Sequence, residues 1–136
     1  MKKVFLDTNF LMDLLERAEY KMICSQIIMT GSRKNIKFYV SFLSVANFAY
    51  LNRKKEKNVL YQALRYIFDI FRVLPNTVKD LEEAIALESK DYEDALQYAT
   101  AISAGCDCII TRNGKDFPFA TIPVYSPNEF LETLLT

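Results

Sequence analysis

The first fifteen residues constrain the fold most, because an apolar strand passes directly into a helix there. Residues 4–6 form an uninterrupted apolar run, and residues 10–15 carry apolar side chains at helical spacing. The polar triplet Asp7-Thr8-Asn9 lies at the junction. A strand this apolar is typical of a parallel sheet covered on both faces, and ligands bind such sheets where their strands end. We therefore expect the Asp7 carboxylate at the carboxyl edge of a sheet.

The rest of the chain alternates predicted strands with predicted helices. Strands are predicted at 36–42, 71–74, 108–111 and 122–125. Helices are predicted at 20–30, ended by Gly31; at about 44–51, begun by Ser44 and with Asn47 in its first turn; at 59–71; from Thr77; from Asp91 to Gly105; and after Ser126-Pro127. This alternation predicts an α/β fold with a parallel sheet between helices.

Composition limits the class of protein. The chain has 136 residues, of which 51% are apolar, enough for one packed core, so a single domain over 1–136 is expected. The 17 basic and 17 acidic residues balance, so the overall field does not attract nucleic acid. Asp7 and Asp13 interrupt the apolar stretch after Lys2-Lys3, which argues against a signal peptide or a membrane span, and a cytoplasmic protein is expected.

The three cysteines, Cys24, Cys106 and Cys108, are expected to be reduced packing residues. The chain contains no histidine, so a zinc site would lack its usual ligands. Any metal is therefore expected to bind oxygen donors.

Several acidic residues sit at predicted helix or loop starts, and each has a structural alternative. Asp7 or Asn9 could simply cap the first helix. Asp91 and Asp94 form a pattern like a capping box, in which one of the two carboxylates is left free. Asp116 follows an Asn-Gly turn, where aspartate is common for conformational reasons.

Taken together, these segments resemble the PIN-domain family in their order along the chain. The matching segments are Asp-Thr-Asn after the first strand, Ser-x-x-Asn, Asp-x-x-Asp-Ala-Leu-Gln, Gly-Cys-Asp, and Ile-Ile-Thr-Arg-Asn-x-x-Asp-Phe, and the resemblance runs from residue 4 to residue 130. The family comprises small metal-dependent ribonucleases, many of them toxins of toxin–antitoxin pairs. The resemblance implies a three-layer sandwich with a central parallel sheet of four to five strands, an acidic pocket for Mg²⁺ or Mn²⁺, an RNA substrate and an antitoxin partner.

The resemblance also implies roles for individual residues. The predicted catalytic residues are Asp7, Asn47, Asp94 and Asp116, of which Asp7, Asp94 and Asp116 are the predicted metal ligands. The predicted positioning residues are Thr8, Asn9, Asp91, Thr111 and Asn113, with Asp91 as the helix cap. The predicted substrate contacts are Arg112 and Lys115, chosen because they are the only basic residues adjacent in sequence to the proposed site.

The chain departs from the commonest family pattern at two positions. Asn47 stands where most members have Glu, which resembles a branch with Asn at this position. Thr111-Arg112-Asn113 replaces the commoner Thr-x-Asp, so that Asp116 is the remaining carboxylate. Amide oxygens can ligate Mg²⁺ but add no charge, so a less anionic site is expected.

Three functions fit these residues. The first is a metal-dependent endoribonuclease toxin, in which metal-bound hydroxide is the nucleophile and the resemblance implies 5′-phosphate and 3′-hydroxyl products. The second is a PIN-like module that binds RNA or protein with weak or no catalysis. The third is a phosphatase with an aspartyl nucleophile, which would want a second Asp where Asn9 stands.

The remaining surface signals are weaker. The basic patches are Arg33-Lys34, residues 53–57, and Arg112 with Lys115. The aromatic residues around residues 39–71, Tyr50 among them, are expected in the core or an interface rather than under nucleobases. The apolar excess of helix 59–71 predicts either a homodimer surface or an antitoxin groove.

Overall fold

A computed structural model describes residues 2–136, and its centre is a sheet of five parallel strands. The strands are β1 (Lys3–Leu6), β2 (Lys37–Ser41), β3 (Arg72–Leu74), β4 (Cys108–Ile110) and β5 (Val124–Tyr125). They lie in the order β3-β2-β1-β4-β5. The predicted parallel sheet of four to five strands is confirmed, with five strands.

Helices separate the strands along the chain. They are α1 (Thr8–Leu15), α2 (Ala18–Arg33), α3 (Phe42–Leu51), α4 (Lys57–Ile70), α5 (Val78–Leu87), α6 (Tyr92–Ser103) and α7 (Pro127–Leu135), and a 3-10 turn covers Gly114–Asp116. None of the helices within residues 2–136 has the length and apolarity needed to span a membrane.

The strand order reverses around β1, which places a crevice at its carboxyl end. Val4 pairs with Phe38 of β2 on one side and with Cys108 of β4 on the other. From β1 the chain adds β2 and β3 on one side of the sheet and later adds β4 and β5 on the other side. Open parallel sheets bind ligands at such a switch point, beyond the carboxyl ends of the strands. Asp7 follows β1 and Thr111 follows β4 at this edge.

Apolar side chains cover both faces of the sheet, as predicted. Val4 and Leu6 of β1 are fully buried in one cluster, to which α1, α2, α4 and α7 contribute. Phe5, between them, is buried in a second cluster on the opposite face, together with Tyr98 and Ala101 of α6. Alternation along a strand places neighbouring residues on opposite faces. The result is the three-layer arrangement of helices, sheet and helices.

Gly31 does not end a helix, contrary to the prediction. Helix α2 continues through it to Arg33, and Gly31 is buried. A Cβ atom at this position would lie 2.4 Å from Cζ of Phe38, so a larger residue would collide with the strand beneath. Glycine is needed here for close approach of helix and sheet. The chain turns later, at Asn35, whose φ is 61°.

The start of α3 also differs from the prediction. Ser41, not Ser44, is the N-cap, and its hydroxyl accepts a hydrogen bond from the Ser44 amide at 3.2 Å. Helix α3 therefore begins at Phe42, and Asn47 lies in its second turn rather than its first. Ser44 is buried inside the helix start. The predicted caps Thr77, Asp91 and Ser126 are confirmed.

The three cysteines are buried, as expected for packing residues. Burial raises the pKa of the Cys24 thiol to about 12 and that of the Cys106 thiol to about 11. At neutral pH these two thiols are therefore protonated and poor metal ligands.

Candidate functional site

The main cavity of interest opens at the carboxyl edge of the sheet and has a volume of about 470 Å³. The starts of α1 and α6, one side of α3 and the loop after β4 surround it. Its lining contains five acidic residues and no lysine or arginine, and the lining residues are Asp7, Thr8, Asn9, Leu43, Asn47, Tyr50, Leu51, Asp91, Glu93, Asp94, Gln97, Asn113 and Asp116. The structure thus brings Asp7, Asn47, Asp94 and Asp116, the four predicted catalytic residues, to one cavity.

Asp7 is the most deeply placed of these acids, with 8% of its surface exposed. It is the N-cap of α1, and its Oδ1 accepts a hydrogen bond from the Thr8 amide at 2.7 Å. The Thr111 hydroxyl donates to Asp7 Oδ2 at 2.9 Å. The same hydroxyl accepts from the Asn113 amide at 3.1 Å. Thr111 therefore holds both the carboxylate and the loop after β4.

The structure shows which of Asp91 and Asp94 caps the helix and which has a free carboxylate. The Asp91 carboxylate caps α6 by accepting a hydrogen bond from the Asp94 amide at 3.2 Å. The Asp94 side chain does not complete a capping box, and the Asp91 amide instead donates to Ser89 Oγ at 3.3 Å. The Asp94 carboxylate is half-buried and faces the cavity. Asp91 lines the cavity as well, so capping does not remove it from the site.

Asp116 and Asn113 reach the cavity from the loop after β4. Asp116 ends a 3-10 turn whose geometry is set by a hydrogen bond from its amide to the Asn113 carbonyl at 2.9 Å. Asp116 is exposed, in contrast to Asp7. The loop therefore adds an exposed carboxylate to a cavity in which the Asp7 carboxylate is buried.

The clustered carboxylates perturb one another. Burial is the main cause that raises the pKa of Asp94 to about 7, followed by the charges of Asp91, Asp7 and Asp116. The pKa of Asp7 is also raised, mainly by burial and further by Asp91 and Asp116, although the hydrogen bonds from Thr111 and Thr8 oppose the shift. Crowded carboxylates in a protein take up a proton unless a cation neutralises them.

The donor set fits a hard divalent cation. All of the polar side chains that line the cavity present oxygen or amide groups, and no lysine or arginine among them offsets the acids. Within residues 2–136, no three acidic or cysteine side chains stand in the arrangement of a ready-made metal cluster. Mg²⁺ often binds through only one or two carboxylates and keeps several waters, so a site of this kind does not require three protein ligands.

A buried polar network beneath the cavity was not predicted from the sequence. Gln97, with 2% of its surface exposed, lies one turn after Asp94 on α6. Its Oε1 accepts from the Ser41 hydroxyl at 2.5 Å, and its Nε2 donates to Ser44 Oγ at 2.5 Å. The Thr8 hydroxyl donates to Ser44 Oγ at 2.9 Å. One amide thus connects α6, which carries Asp94, to the starts of α1 and α3, the helices that follow Asp7 and carry Asn47.

Arg112, a predicted substrate contact, lies outside this cavity. Its guanidinium binds Asp13 through Nε at 2.7 Å and Nη2 at 3.2 Å, and it stacks on the Tyr20 ring at 4.4 Å. Asp13 is completely buried and also binds Arg17. These contacts hold the guanidinium against α1 and α2, outside the residues that line the cavity. Arg112 is therefore not part of the proposed substrate contacts.

Lys115, the other predicted substrate contact, lines a neighbouring cavity of about 620 Å³. Asp91 and Asp116 border both cavities, so they form the partition between them. Lys115 is exposed beside the acidic cavity but does not enter it.

Comparison with known proteins identifies the family of the chain. The family model described as "PIN domain" matches residues 3–115. The chain is 28% identical to Ribonuclease VapC1 of Aquifex aeolicus over 96% of this chain and 94% of that protein. It superimposes with a TM-score of 0.66 on a toxin-antitoxin complex from Klebsiella pneumoniae, at 26% identity over 91% of this chain and 97% of that one. It superimposes with a TM-score of 0.74 on VapBC-1 from nontypeable Haemophilus influenzae, at 17% identity over 93% of this chain and 98% of that one. The chain belongs to the PIN domain family.

Proposed function

We propose that the protein is a metal-dependent endoribonuclease that uses Mg²⁺ or Mn²⁺ and acts in the cytoplasm as the toxin of a toxin–antitoxin pair. The observation that carries the proposal is the group of acidic residues around one cavity at the strand ends, without a lysine or arginine to neutralise them. The likeness to a protein named as a ribonuclease and to toxin–antitoxin structures supports it.

Asp7 and Asp94 would hold the cation, with the exposed carboxylate of Asp116 in the same cavity. A bound divalent ion lowers the pKa of its water and stabilises charge on the phosphoryl oxygens. The residues of this chain prepare that site. Thr111 and the Thr8 amide fix the two oxygens of Asp7, and Asp91 fixes the start of the helix that carries Asp94.

Asn47 and Asn113 lie at the cavity where a more anionic site would have carboxylates. Their amide oxygens suit positioning of the ion's water shell or of substrate. These two amides also favour the second candidate function, a PIN-like module that binds RNA or protein without cleaving it.

The proposed antitoxin needs a surface to cover, and α4 offers apolar side chains in solvent. Val59, Tyr61, Tyr66 and Phe68 are between 43% and 60% exposed. Either an antitoxin or a second copy of the chain could bury them. Light scattering of the purified protein, alone and in complex with the proposed antitoxin, distinguishes the two.

The test of function is cleavage of a labelled RNA with Mn²⁺, with Mg²⁺, and with EDTA. We expect cleavage with either ion, none in EDTA, and loss of at least 100-fold in the Asp94→Asn variant. Asp69→Asn on α4 is the matched control, because it makes the same change on an exposed residue outside the cavity. Mn²⁺ binding without cleavage would favour the binding module instead. Undiminished cleavage by Asp94→Asn would refute the proposal.

A further inference from the structure

The wall of the cavity formed by α3 carries an open aromatic ring. Tyr50 lines the cavity beside Asn47 and Leu51, yet 63% of its surface is exposed. From the sequence, Tyr50 was predicted to lie in the core or an interface. An aromatic ring that borders a cavity of polar groups and remains this open is instead available to a ligand.

Arg53 holds this ring in place from one side. Its guanidinium carbon lies 4.0 Å from the centre of the Tyr50 ring, and its Nη1 donates to the Tyr50 carbonyl at 2.8 Å. Stacking and the hydrogen bond together limit the movement of both side chains. The guanidinium covers one face of the ring, and its other N–H groups stay available to an acceptor such as a phosphate oxygen.

Arg53 brings positive charge next to the Tyr50 ring, in contrast to the cavity, whose lining has no lysine or arginine. Residues 53–57 follow α3 and include four cations and one acid. Lys55 pairs with Glu16. Arg53, Lys54 and Lys57 form no ion pair with an acidic side chain within residues 2–136. A basic segment that begins beside Tyr50, together with a cation held in the acidic cavity as proposed, would suit a polyanion that extends from one to the other.

We propose that Tyr50 and Arg53 form a subsite for an unpaired nucleotide next to the phosphate that is cut. The base stacks on the open part of the Tyr50 ring, and Arg53 contacts the adjoining phosphate. A base in a duplex is already stacked and cannot reach the ring, so the substrate is single-stranded at the cut. This inference rests on the proposed function, to which it adds a subsite and the two residues that form it.

An RNA strand explains the arrangement better than an acidic protein segment. Carboxylates of such a segment would be attracted by Arg53 but repelled by the acidic residues that line the cavity. The phosphates of RNA meet the cation bound there, and its bases use the aromatic face that a carboxylate leaves empty. Occupation of the subsite by protein alone is therefore an outcome that would overturn the proposal.

The first experiment uses the absence of tryptophan from the chain, so that Tyr50→Trp introduces a single indole. Short single-stranded RNA is titrated into Tyr50→Trp and Asp94→Asn combined, which binds without cutting, in the presence of Mn²⁺. We expect saturable quenching by single-stranded RNA and none by the same sequence as a duplex. Tyr61→Trp is the matched control, because Tyr61 is 48% exposed on α4 and outside the cavity. Equal quenching by duplex, or RNA binding without quenching, overturns the inference.

The second experiment measures kinetics and does not depend on the indole. Tyr50→Ala should raise KM for single-stranded RNA about 10-fold with kcat little changed, and Tyr50→Phe should restore it, because stacking needs the ring and not the hydroxyl. Mn²⁺ affinity measured by calorimetry should be the same in all three proteins. A wild-type protein that neither binds Mn²⁺ nor cleaves RNA refutes the proposed function itself. If Tyr50→Ala cleaves single-stranded RNA with the same KM as the wild type, or loses only association with another protein, the subsite alone is refuted.

Discussion

Replacing Asp94 by Asn should flatten the pH dependence of stability in the metal-free protein. Burial and the charges of Asp91, Asp7 and Asp116 raise the pKa of Asp94 from 3.8 to about 7. Between these two values the folded protein binds more protons than the unfolded chain, so the free energy of unfolding falls as pH rises. The contribution is fully present below about pH 4 and is lost as pH rises through about 7.

The size of the effect follows from the same interval. A rise from 3.8 to about 7 corresponds to at most about 4 kcal/mol. Because Asp94 is only half-buried and water screens its neighbours, we expect about 1–2 kcal/mol, or a few degrees in Tm. The pKa of Asp7 is raised as well, so a shallower slope of the same sign should remain in the variant.

Thermal unfolding followed by circular dichroism from pH 5 to pH 8 in EDTA measures this effect. The wild type should lose more stability toward pH 8 than Asp94→Asn, and Asp69→Asn on exposed α4 should follow the wild type. Mn²⁺ at pH 8 should restore the wild type most, because the cation neutralises the same charges. Parallel curves for wild type and Asp94→Asn, or strong destabilisation of Asp94→Asn at every pH, would show that crowding of carboxylates is not the cause.

Three further predictions separate site residues from structural ones. Gln97→Leu should weaken Mn²⁺ binding several-fold in calorimetry. Thr100→Val is its control and should leave Mn²⁺ binding unchanged. It removes the hydrogen bonds of another buried residue on α6, at a similar cost in the free energy of unfolding of about 1–3 kcal/mol. Asn47→Asp should tighten Mn²⁺ binding, since hard cations respond to ligand charge, and equal affinities would place Asn47 outside the site. Arg112→Ala leaves Asp13 buried without its bidentate partner and should lower the free energy of unfolding in urea by about 3–5 kcal/mol, with KM for RNA little changed.

Local signals in the sequence predicted the parts of the site that depend on short stretches of chain. Asp7 was predicted at a strand end because an apolar strand and a helix meet there. Asp91 was predicted as a helix cap because a short polar side chain precedes a periodic apolar pattern. Both predictions concern neighbouring residues, and the structure agrees with both.

Contacts between distant segments could not be predicted in this way. Gly31 was predicted to end a helix, but glycine is needed there because the Phe38 ring leaves no room for a Cβ atom. Only the packing of α2 on the sheet brings these two residues together. Arg112 lies 99 residues from Asp13, and nothing in either local pattern points to the other. Gln97 is an uncharged residue inside a helix. Its spacing of three from Asp94, which puts both on one helical face, was the available signal.

Capping and metal binding are not competing roles for the acids of this cavity. Asp7 caps α1 through Oδ1, and its Oδ2 accepts a hydrogen bond from the Thr111 hydroxyl. Asp91 caps α6 through Oδ1. Each carboxylate oxygen has more than one lone pair, so these bonds leave acceptor capacity for a cation. The starts of α1 and α6 also carry partial positive charge, which offsets part of the repulsion among the acids. Helix starts gathered at one sheet edge therefore allow the domain to fold with its carboxylates already assembled, before any cation binds.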